Sequence, residues 1–149
     1  MSLRLPYWQI APDAVKRMMA INSYLLASLI EPTLRHLVWL RVSQINGCAY
    51  CVELHAREAL HDGEAVERLN CLPVWEETTL FTARERAALA WAEALTNITQ
   101  SHAHDEVYAL VRQEFDDKTL VDLTLMIASM NAWNRMAIGF RRQPETSQH

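Results

Sequence analysis

Apolar residues recur every three or four positions through most of the chain, a spacing that is typical of amphipathic helices. Helices are predicted at about residues 12–29, 33–45, 48–61, 63–69, 82–95, 105–115 and 118–140. No segment shows the sustained alternation of apolar and polar residues that marks a β-strand. The pattern therefore predicts an all-α bundle of about six or seven helices.

Turn and capping signals separate these helices. Asn46-Gly47 divides the second predicted helix from the third, and Asp62-Gly63 ends the third. Thr82 and Glu85 have the spacing of a capping box and should start the fifth helix. Residues 75–81 are expected to form a connection that packs its aromatic side chains on the core.

Size and composition indicate one domain. The chain has 149 residues, half of them apolar, with only three glycines and five prolines. That apolar content is sufficient for a core that needs neither metal nor disulfide support. We expect a single domain over residues 1–149, with the core in residues 12–141 and a frayed tail at residues 142–149.

Charge and hydropathy limit the partners. The net charge is −4, and the basic residues are scattered, which argues against nucleic acid. The longest uncharged run, residues 18–30, is shorter than the ~20 apolar residues of a membrane span. Residues 1–8 lack the apolar core of a signal peptide. We therefore expect a cytoplasmic protein that does not bind membranes. In that reducing compartment, three cysteines suit catalytic use better than structural disulfides.

The candidate chemistry lies in residues 44–55, where Cys48, Cys51 and His55 follow the turn. Their spacing of three and four residues places them in one stripe on a helix that starts at Cys48. The first turn of a helix has unpaired backbone N–H groups and about half a positive charge, which stabilise a thiolate. His55 lies one turn further along and can take the thiol proton.

Two thiols one helical turn apart can close a disulfide, so the motif predicts a redox-active dithiol. Cys51 is nearer to His55 and is predicted to attack a peroxide or a disulfide first. Cys48 then resolves the sulfenic acid or mixed disulfide. If the helices on either side of Gly47 fold back as a hairpin, residues 36–40 lie at the height of His55. His36 is then a neighbour of the site.

Two other interpretations of the motif remain open. Cys48, Cys51 and His55 could supply three zinc ligands, but a closed structural site needs four and no second pair of ligands follows. Alternatively, the three side chains are ordinary core residues, since cysteine is commonly buried. The absence of βαβ units argues against a thioredoxin scaffold. We assign no metal and no cofactor.

These residues resemble the AhpD-like alkylhydroperoxidases of the carboxymuconolactone decarboxylase family. The matching segments are residues 40–51 with His55, residues 81–91 and residues 131–135. The resemblance implies an all-helical antioxidant protein in which Cys51 reacts with peroxide, Cys48 resolves the product and His55 belongs to a proton relay. It also implies a hydroperoxide substrate, a protein or small dithiol as electron donor, and assembly into trimers or hexamers.

The chain departs from the family pattern at one position. Relatives with the full pattern have a glutamate where this chain has His36, and a carboxylate there would orient His55 and favour its charged form. Glu58, three residues beyond His55, is a candidate substitute; the alternative is a solvent-facing charge. Residues 131–135 are expected mainly to hydrogen-bond and pack the last helix into the bundle or a subunit contact.

Two further functions are compatible with the resemblance. One is a lactone decarboxylase-like enzyme that acts on a small carboxylate and has no need of two thiols. The other is a non-catalytic stress-response module that keeps the fold and has lost turnover through the change at His36.

Overall fold

The computed structural model describes residues 2–144, and in this range it contains nine α-helices and no strand. The helices are α1 (Tyr7–Ile10), α2 (Pro12–Leu26), α3 (Pro32–Asn46), α4 (Ala49–His61), α5 (Val66–Cys71), α6 (Ala83–Thr96), α7 (Ile98–Ser101), α8 (Asp105–Glu114) and α9 (Asp117–Gly139). The all-α prediction is confirmed. Seven helices have six residues or more, whereas α1 and α7 are single turns too short to show periodicity. Among the described residues, no helix is long and apolar enough to cross a membrane.

Helix α3 lies at the centre of the bundle, and α4, α6 and α9 pack around it. Its Val38 and Val42 belong to the main core, which also contains the small residues Ala88 and Ala92 of α6. Small side chains let two helices approach closely. Burial of each larger aliphatic side chain in this core stabilises the fold by about 1.5–3 kcal/mol. The core thus fixes α3, the helix that leads into the Cys-x2-Cys motif.

A second apolar cluster joins α3 to the connection between α5 and α6. This connection contains a short 3₁₀ helix, Leu72–Glu77. Trp75 and Phe81 are both buried in the cluster with Leu37 and Leu40. The prediction that residues 75–81 pack their aromatic side chains on the core is therefore confirmed.

The predicted capping box starts α6. The Glu85 backbone N–H donates to Thr82 Oγ1 at 3.2 Å, and the Thr82 N–H donates to Glu85 Oε2 at 2.8 Å. Two backbone donors that have no partner inside the helix are satisfied in this way.

Helix α2 is three residues shorter than predicted and less buried. The Ser28 hydroxyl donates to the Leu25 carbonyl at 2.6 Å, and such side-chain bonds compete with continuation of a helix. Leu25 is buried, but Leu29 is 77% exposed. Most of the apolar face of α2 is therefore not covered within one chain. Helix α5 also begins three residues late, because Gly63 takes a left-handed φ of 92° that ends the preceding helix first.

The two ends of the described chain meet beside α4. The Arg4 N–H donates to the Phe140 carbonyl at 2.9 Å. The Arg142 guanidinium lies over the rings of Tyr50 and Trp8, 3.8 and 4.8 Å from their centroids. The predicted tail starts at this residue, and its last five positions, residues 145–149, lie outside the described residues.

Candidate active site

A left-handed glycine turn places the Cys-x2-Cys motif. Gly47 has φ 68°, which L side chains rarely adopt, and it ends α3. The Cys48 N–H donates to the Ser43 carbonyl at 3.0 Å, and the Gly47 N–H donates to the Gln44 carbonyl at 3.1 Å. This pair of bonds is a Schellman motif. It fixes the direction in which the chain enters α4.

The two cysteines lie at the start of α4 and form a disulfide, with Cα atoms 5.3 Å apart. Cys48 is the N-cap residue, and its Sγ accepts the Cys51 backbone N–H at 3.3 Å. Cys51 is the third residue of the helix. The prediction of a Cys-x2-Cys pair at a helix N-terminus is confirmed.

The two sulfurs have different surroundings. Cys48 is 1% exposed and packs in a small cluster with Ala137 of α9. Cys51 is 4% exposed and lines a cavity of about 130 Å³, which we call the small cavity. His55 and Trp133 also line it. Cys51 is therefore the sulfur that faces a space where a small reactant can approach.

His55 forms a hydrogen-bonded pair with Glu58. His55 Nδ1 lies 3.1 Å from Glu58 Oε2, and the Glu58 side chain is 43% exposed. This hydrogen bond is the main reason why the pKa of Glu58 lies below its ordinary value. An ionised carboxylate only accepts hydrogen bonds, so the proton of the pair resides on Nδ1 and the lone pair of neutral His55 resides on Nε2. Glu58 is thus partly exposed to solvent and also bound to His55.

His36 forms a second pair, with a residue that the sequence analysis missed. His36 Nε2 lies 2.7 Å from Asp62 Oδ2, and His61 Nδ1 lies 3.1 Å from the other oxygen of Asp62. Hydrogen bonds from His61 and His36 hold the pKa of Asp62 below its ordinary value. Asp62 follows Glu58 by four residues and so lies on the same face of α4. That spacing could have identified it.

A larger cavity of about 820 Å³ adjoins the first, and we call it the large cavity. His36, His55 and Glu58 all line it, and His55 lines both cavities. The structure therefore gathers the predicted site residues around two adjoining spaces, with Cys51 in the small cavity and Cys48 behind it. Their chemical roles remain predictions.

Side chains of α9 hold the turn in place. Asn46 Nδ2 donates to Asn131 Oδ1 at 3.0 Å and to Asn134 Oδ1 at 2.8 Å. Asn134 is fully buried, and its Nδ2 donates to Ser43 Oγ at 3.1 Å. Trp133 Nε1 donates to Asn22 of α2 at 3.2 Å. These contacts agree with the expectation that residues 131–135 join the last helix to the bundle, and they tie it to the turn before Cys48.

Metal ligands do not cluster in the described part of the chain. Within residues 2–144, no group of three or more histidine, cysteine, aspartate or glutamate side chains is arranged to hold a metal ion. Cys48 and Cys51, which the zinc interpretation required, are bonded to each other.

The helical bundle and the Cys-x2-Cys pair at a helix N-terminus are the features that the resemblance to AhpD-like proteins predicted. Residues 12–94 match the carboxymuconolactone decarboxylase family. The chain belongs to this family, and the resemblance seen in the sequence is confirmed.

Relatives and solved structures support this assignment. The uncharacterized protein YdfG from Bacillus subtilis (strain 168) is 41% identical over 138 residues, 93% of this chain and 94% of that protein. A crystal structure of a protein of unknown function from Agrobacterium tumefaciens, for which the role of antioxidant defence protein AhpD has been suggested, is 39% identical. It superposes with a TM-score of 0.95 and covers 98% of this chain and 100% of that one.

A more distant structure shares the fold. The alkylhydroperoxidase AhpD core of an uncharacterized peroxidase-related protein from Ralstonia eutropha is 21% identical, with a TM-score of 0.80. The alignment covers 93% of this chain and 74% of that one. The bundle is therefore retained where most of the sequence differs.

Proposed function

We propose that this protein is a thiol oxidoreductase of the antioxidant type, which reduces hydroperoxides with electrons from an external dithiol. The observation that carries the proposal is the Cys48–Cys51 disulfide at the start of α4, with Cys51 facing the small cavity beside His55. Membership of the family supports an oxidoreductase or a decarboxylase, and the bonded sulfur pair favours the first.

The proposed cycle needs only the two cysteines, the hydroperoxide and an external dithiol. The Cys51 thiolate attacks the terminal peroxide oxygen, the O–O bond breaks, and the alcohol leaves with a proton while Cys51 becomes a sulfenic acid. The Cys48 thiol then attacks that sulfur, which releases water and forms the disulfide. A protein or small dithiol supplies two electrons and two protons to restore both thiols.

His55 is proposed to move the proton. Its Nδ1–H is held by Glu58, so the Nε2 lone pair is free to accept the thiol proton of Cys51 and later to return it to the leaving alkoxide. His36 forms the same kind of pair with Asp62, and both residues line the large cavity. We propose that it positions the site and does not touch the reacting atoms.

The test is reaction of the reduced protein with one equivalent of tert-butyl hydroperoxide, followed by peptide mapping. We expect the wild type to consume the peroxide and form the Cys48–Cys51 disulfide. Cys48→Ser should stop at a Cys51 sulfenic acid, which dimedone traps. Cys51→Ser should consume no peroxide beyond a blank, and full peroxidase activity in that variant would exclude the assigned order of attack.

A decarboxylase-like activity on a small carboxylate is the alternative from the same family. That reaction has no need of two thiols. Turnover of a lactone carboxylate by the Cys48→Ser/Cys51→Ser double variant would therefore favour the decarboxylase and contradict the redox proposal.

We further propose that the protein acts as a homo-oligomer, a trimer or hexamer, in the cytoplasm. Several large apolar side chains of α2 and the residues after it are about half exposed or more: Met19, Tyr24, Leu26 and Leu29. Large exposed apolar side chains concentrated on one short stretch of the chain are typical of an interface. A monomeric mass by light scattering would contradict the assembly, and Leu29→Asp, at a position that lines neither cavity, should shift an oligomer toward smaller species.

A further inference from the structure

Four side-chain polar atoms on α3 are buried and have no hydrogen-bond partner among the described residues: Arg35 Nε, His36 Nδ1, Trp39 Nε1 and Gln44 Oε1. The first three belong to side chains that line the large cavity. Buried polar atoms in native proteins nearly always have a partner, so three such atoms beside a cavity mark a place where a ligand or a water molecule can supply one.

The charge of Arg35 is not neutralised by an ion pair. Arg35 is only 8% exposed, and within residues 2–144 its guanidinium forms no hydrogen bond or salt bridge. Its nearest aromatic contact is the Trp39 ring, 5.6 Å from the guanidinium carbon. Burial lowers the pKa of Arg35, and the attractions of Asp62 and Glu58 only oppose that shift. A largely buried guanidinium that lacks a hydrogen-bonded anion is suited to bind one.

The carboxylates of the large cavity are already engaged elsewhere. Both oxygens of Asp62 hydrogen-bond to histidines, and Glu58 holds His55. Three arginines line this cavity, and one of them, Arg57, pairs with Glu53 at 2.8 Å. Arg35 is the most buried of the three, and its Nε has no hydrogen-bond partner among the described residues.

The large cavity leads to the reactive sulfur. The Trp39 ring lies between Arg35 and His55, with a distance of 5.3 Å between the Trp39 and His55 ring centroids. The two cavities share Tyr50 and Leu54 as well as His55. A ligand with one end at Arg35 can thus extend along an apolar wall into the space that Cys51 faces.

We propose that the large cavity binds the carboxylate of an acidic organic hydroperoxide, with Arg35 as its anchor and the Trp39 indole N–H as a second donor. A guanidinium matches the geometry of a carboxylate and can donate two parallel hydrogen bonds to it. Glu58 and Asp62 would repel a doubly charged head group such as a phosphate, so a single negative charge fits best. The inference rests on the proposed function, since the hydroperoxy end must reach Cys51.

Binding can be tested on the oxidised protein, without turnover. Octanoate and octanamide are titrated by calorimetry into wild type, Arg35→Met and Arg35→Lys, with circular dichroism to verify folding. We expect octanoate to bind the wild type at least tenfold more tightly than octanamide, and Arg35→Met to lose at least tenfold in octanoate affinity. Arg35→Lys keeps the charge and should lose less. Equal affinities for acid and amide in the wild type would overturn the proposal whatever the variants do.

A matched variant separates a specific anchor from general attraction. Arg57→Gln removes one positive charge from the same cavity, but Arg57 already has Glu53 as a partner. We expect it to change octanoate affinity less than twofold. A loss equal to that of Arg35→Met would contradict the anchor. Arg142 also lines the cavity, and a greater loss in Arg142→Gln than in Arg35→Met would likewise overturn the assignment.

Kinetics then distinguish this inference from the proposed function. The substrates are the 9-hydroperoxide of linoleic acid and its methyl ester, which lacks the ionisable carboxyl group. We expect a KM at least tenfold lower for the acid, and Arg35→Met should remove most of that difference. Equal KM values with normal turnover would refute the carboxylate site and leave the peroxidase intact. No reaction with any hydroperoxide, together with octanoate binding that depends on Arg35, would refute the proposed function alone.

Discussion

Replacement of Glu58 by glutamine should slow the reaction of Cys51 with peroxide or iodoacetamide. Glu58 Oε2 accepts the hydrogen bond of His55 Nδ1 at 3.1 Å. The carboxylate therefore orients the ring and stabilises the imidazolium that forms when the thiol proton arrives. An amide oxygen still accepts the hydrogen bond but has no charge. Glu58→Gln thus removes the electrostatic part of the interaction and keeps most of its geometry.

The size of the effect follows from the hydrogen bond and its exposure. A hydrogen bond to a charged group contributes about 1.5–3 kcal/mol, and a neutral one about 0.5–1.5, so the difference is about 1 kcal/mol. The Glu58 side chain is 43% exposed, and solvent screening reduces this value to about 0.5–1 kcal/mol. At 1.36 kcal/mol for each factor of ten in rate, the reaction should slow about two- to fivefold.

The assay is the second-order rate of Cys51 modification between pH 5 and 9, with each cysteine quantified by mass spectrometry. Glu53→Gln is the matched control, because Glu53 lies on the same helix and pairs with Arg57 instead of a histidine. Simple electrostatics predicts that loss of a nearby negative charge makes the thiolate easier to form and the reaction faster. A Glu58→Gln rate that rises, or a pH profile identical to that of the wild type, would refute the relay.

Three further predictions concern stability. Asn134→Ala should lower the free energy of unfolding by about 2–3 kcal/mol, because the fully buried Asn134 makes one buried and one part-buried hydrogen bond near the turn. Asn131 is partly exposed, so Asn131→Ala should lower this free energy less in the same urea titration. Reduction of the disulfide should lower the free energy of unfolding by only about 2 kcal/mol, because the bond closes a loop of four residues. A loss above about 4 kcal/mol would contradict this reasoning. The pKa values of Glu58 and Asp62 are lower in the folded protein than in the unfolded chain, where they are about 4. Both carboxylates therefore stabilise the fold fully above about pH 4, and this stabilisation is lost as the pH falls through the lower folded pKa values. Acid unfolding of the variant Glu58→Gln/Asp62→Asn should therefore depend less on pH than that of the wild type, and equal slopes would contradict it.

Helical periodicity was sufficient to predict the long helices, but it could not tell which apolar face has a partner within the chain. The pattern of residues 12–29 is amphipathic, yet in one chain only Leu25 of α2 is buried. Spacing along the sequence reports that a face is apolar, whereas burial depends on what packs against it. The single turns α1 and α7 were missed because four residues are too few to show a period.

The same spacing rules explain which site residues the sequence could reveal. Residues three or four apart on α4 share a face, which predicted Cys51, His55 and Glu58 as neighbours. Asp62 continues that face and was interpreted only as a helix stop. Arg142 could not be found in this way, because 92 residues separate it from Tyr50, over whose ring it lies.

A last prediction concerns His36, which stands where the family resemblance implies a glutamate: we expect Asp62 to compensate for that exchange across the hairpin. His36 is buried and binds Asp62 at 2.7 Å, so a carboxylate is still present beside the site, although α4 supplies it instead of α3. His36→Glu would then place two carboxylates within contact distance, and their repulsion should lower the thermal stability at pH 7 without a gain in the Cys51 reaction rate. The double variant His36→Glu/Asp62→Asn removes the second charge and should recover much of that stability. If His36→Glu alone were as stable as the wild type and reacted faster, Asp62 would not be the substitute, and His36 would mark a weakened relay.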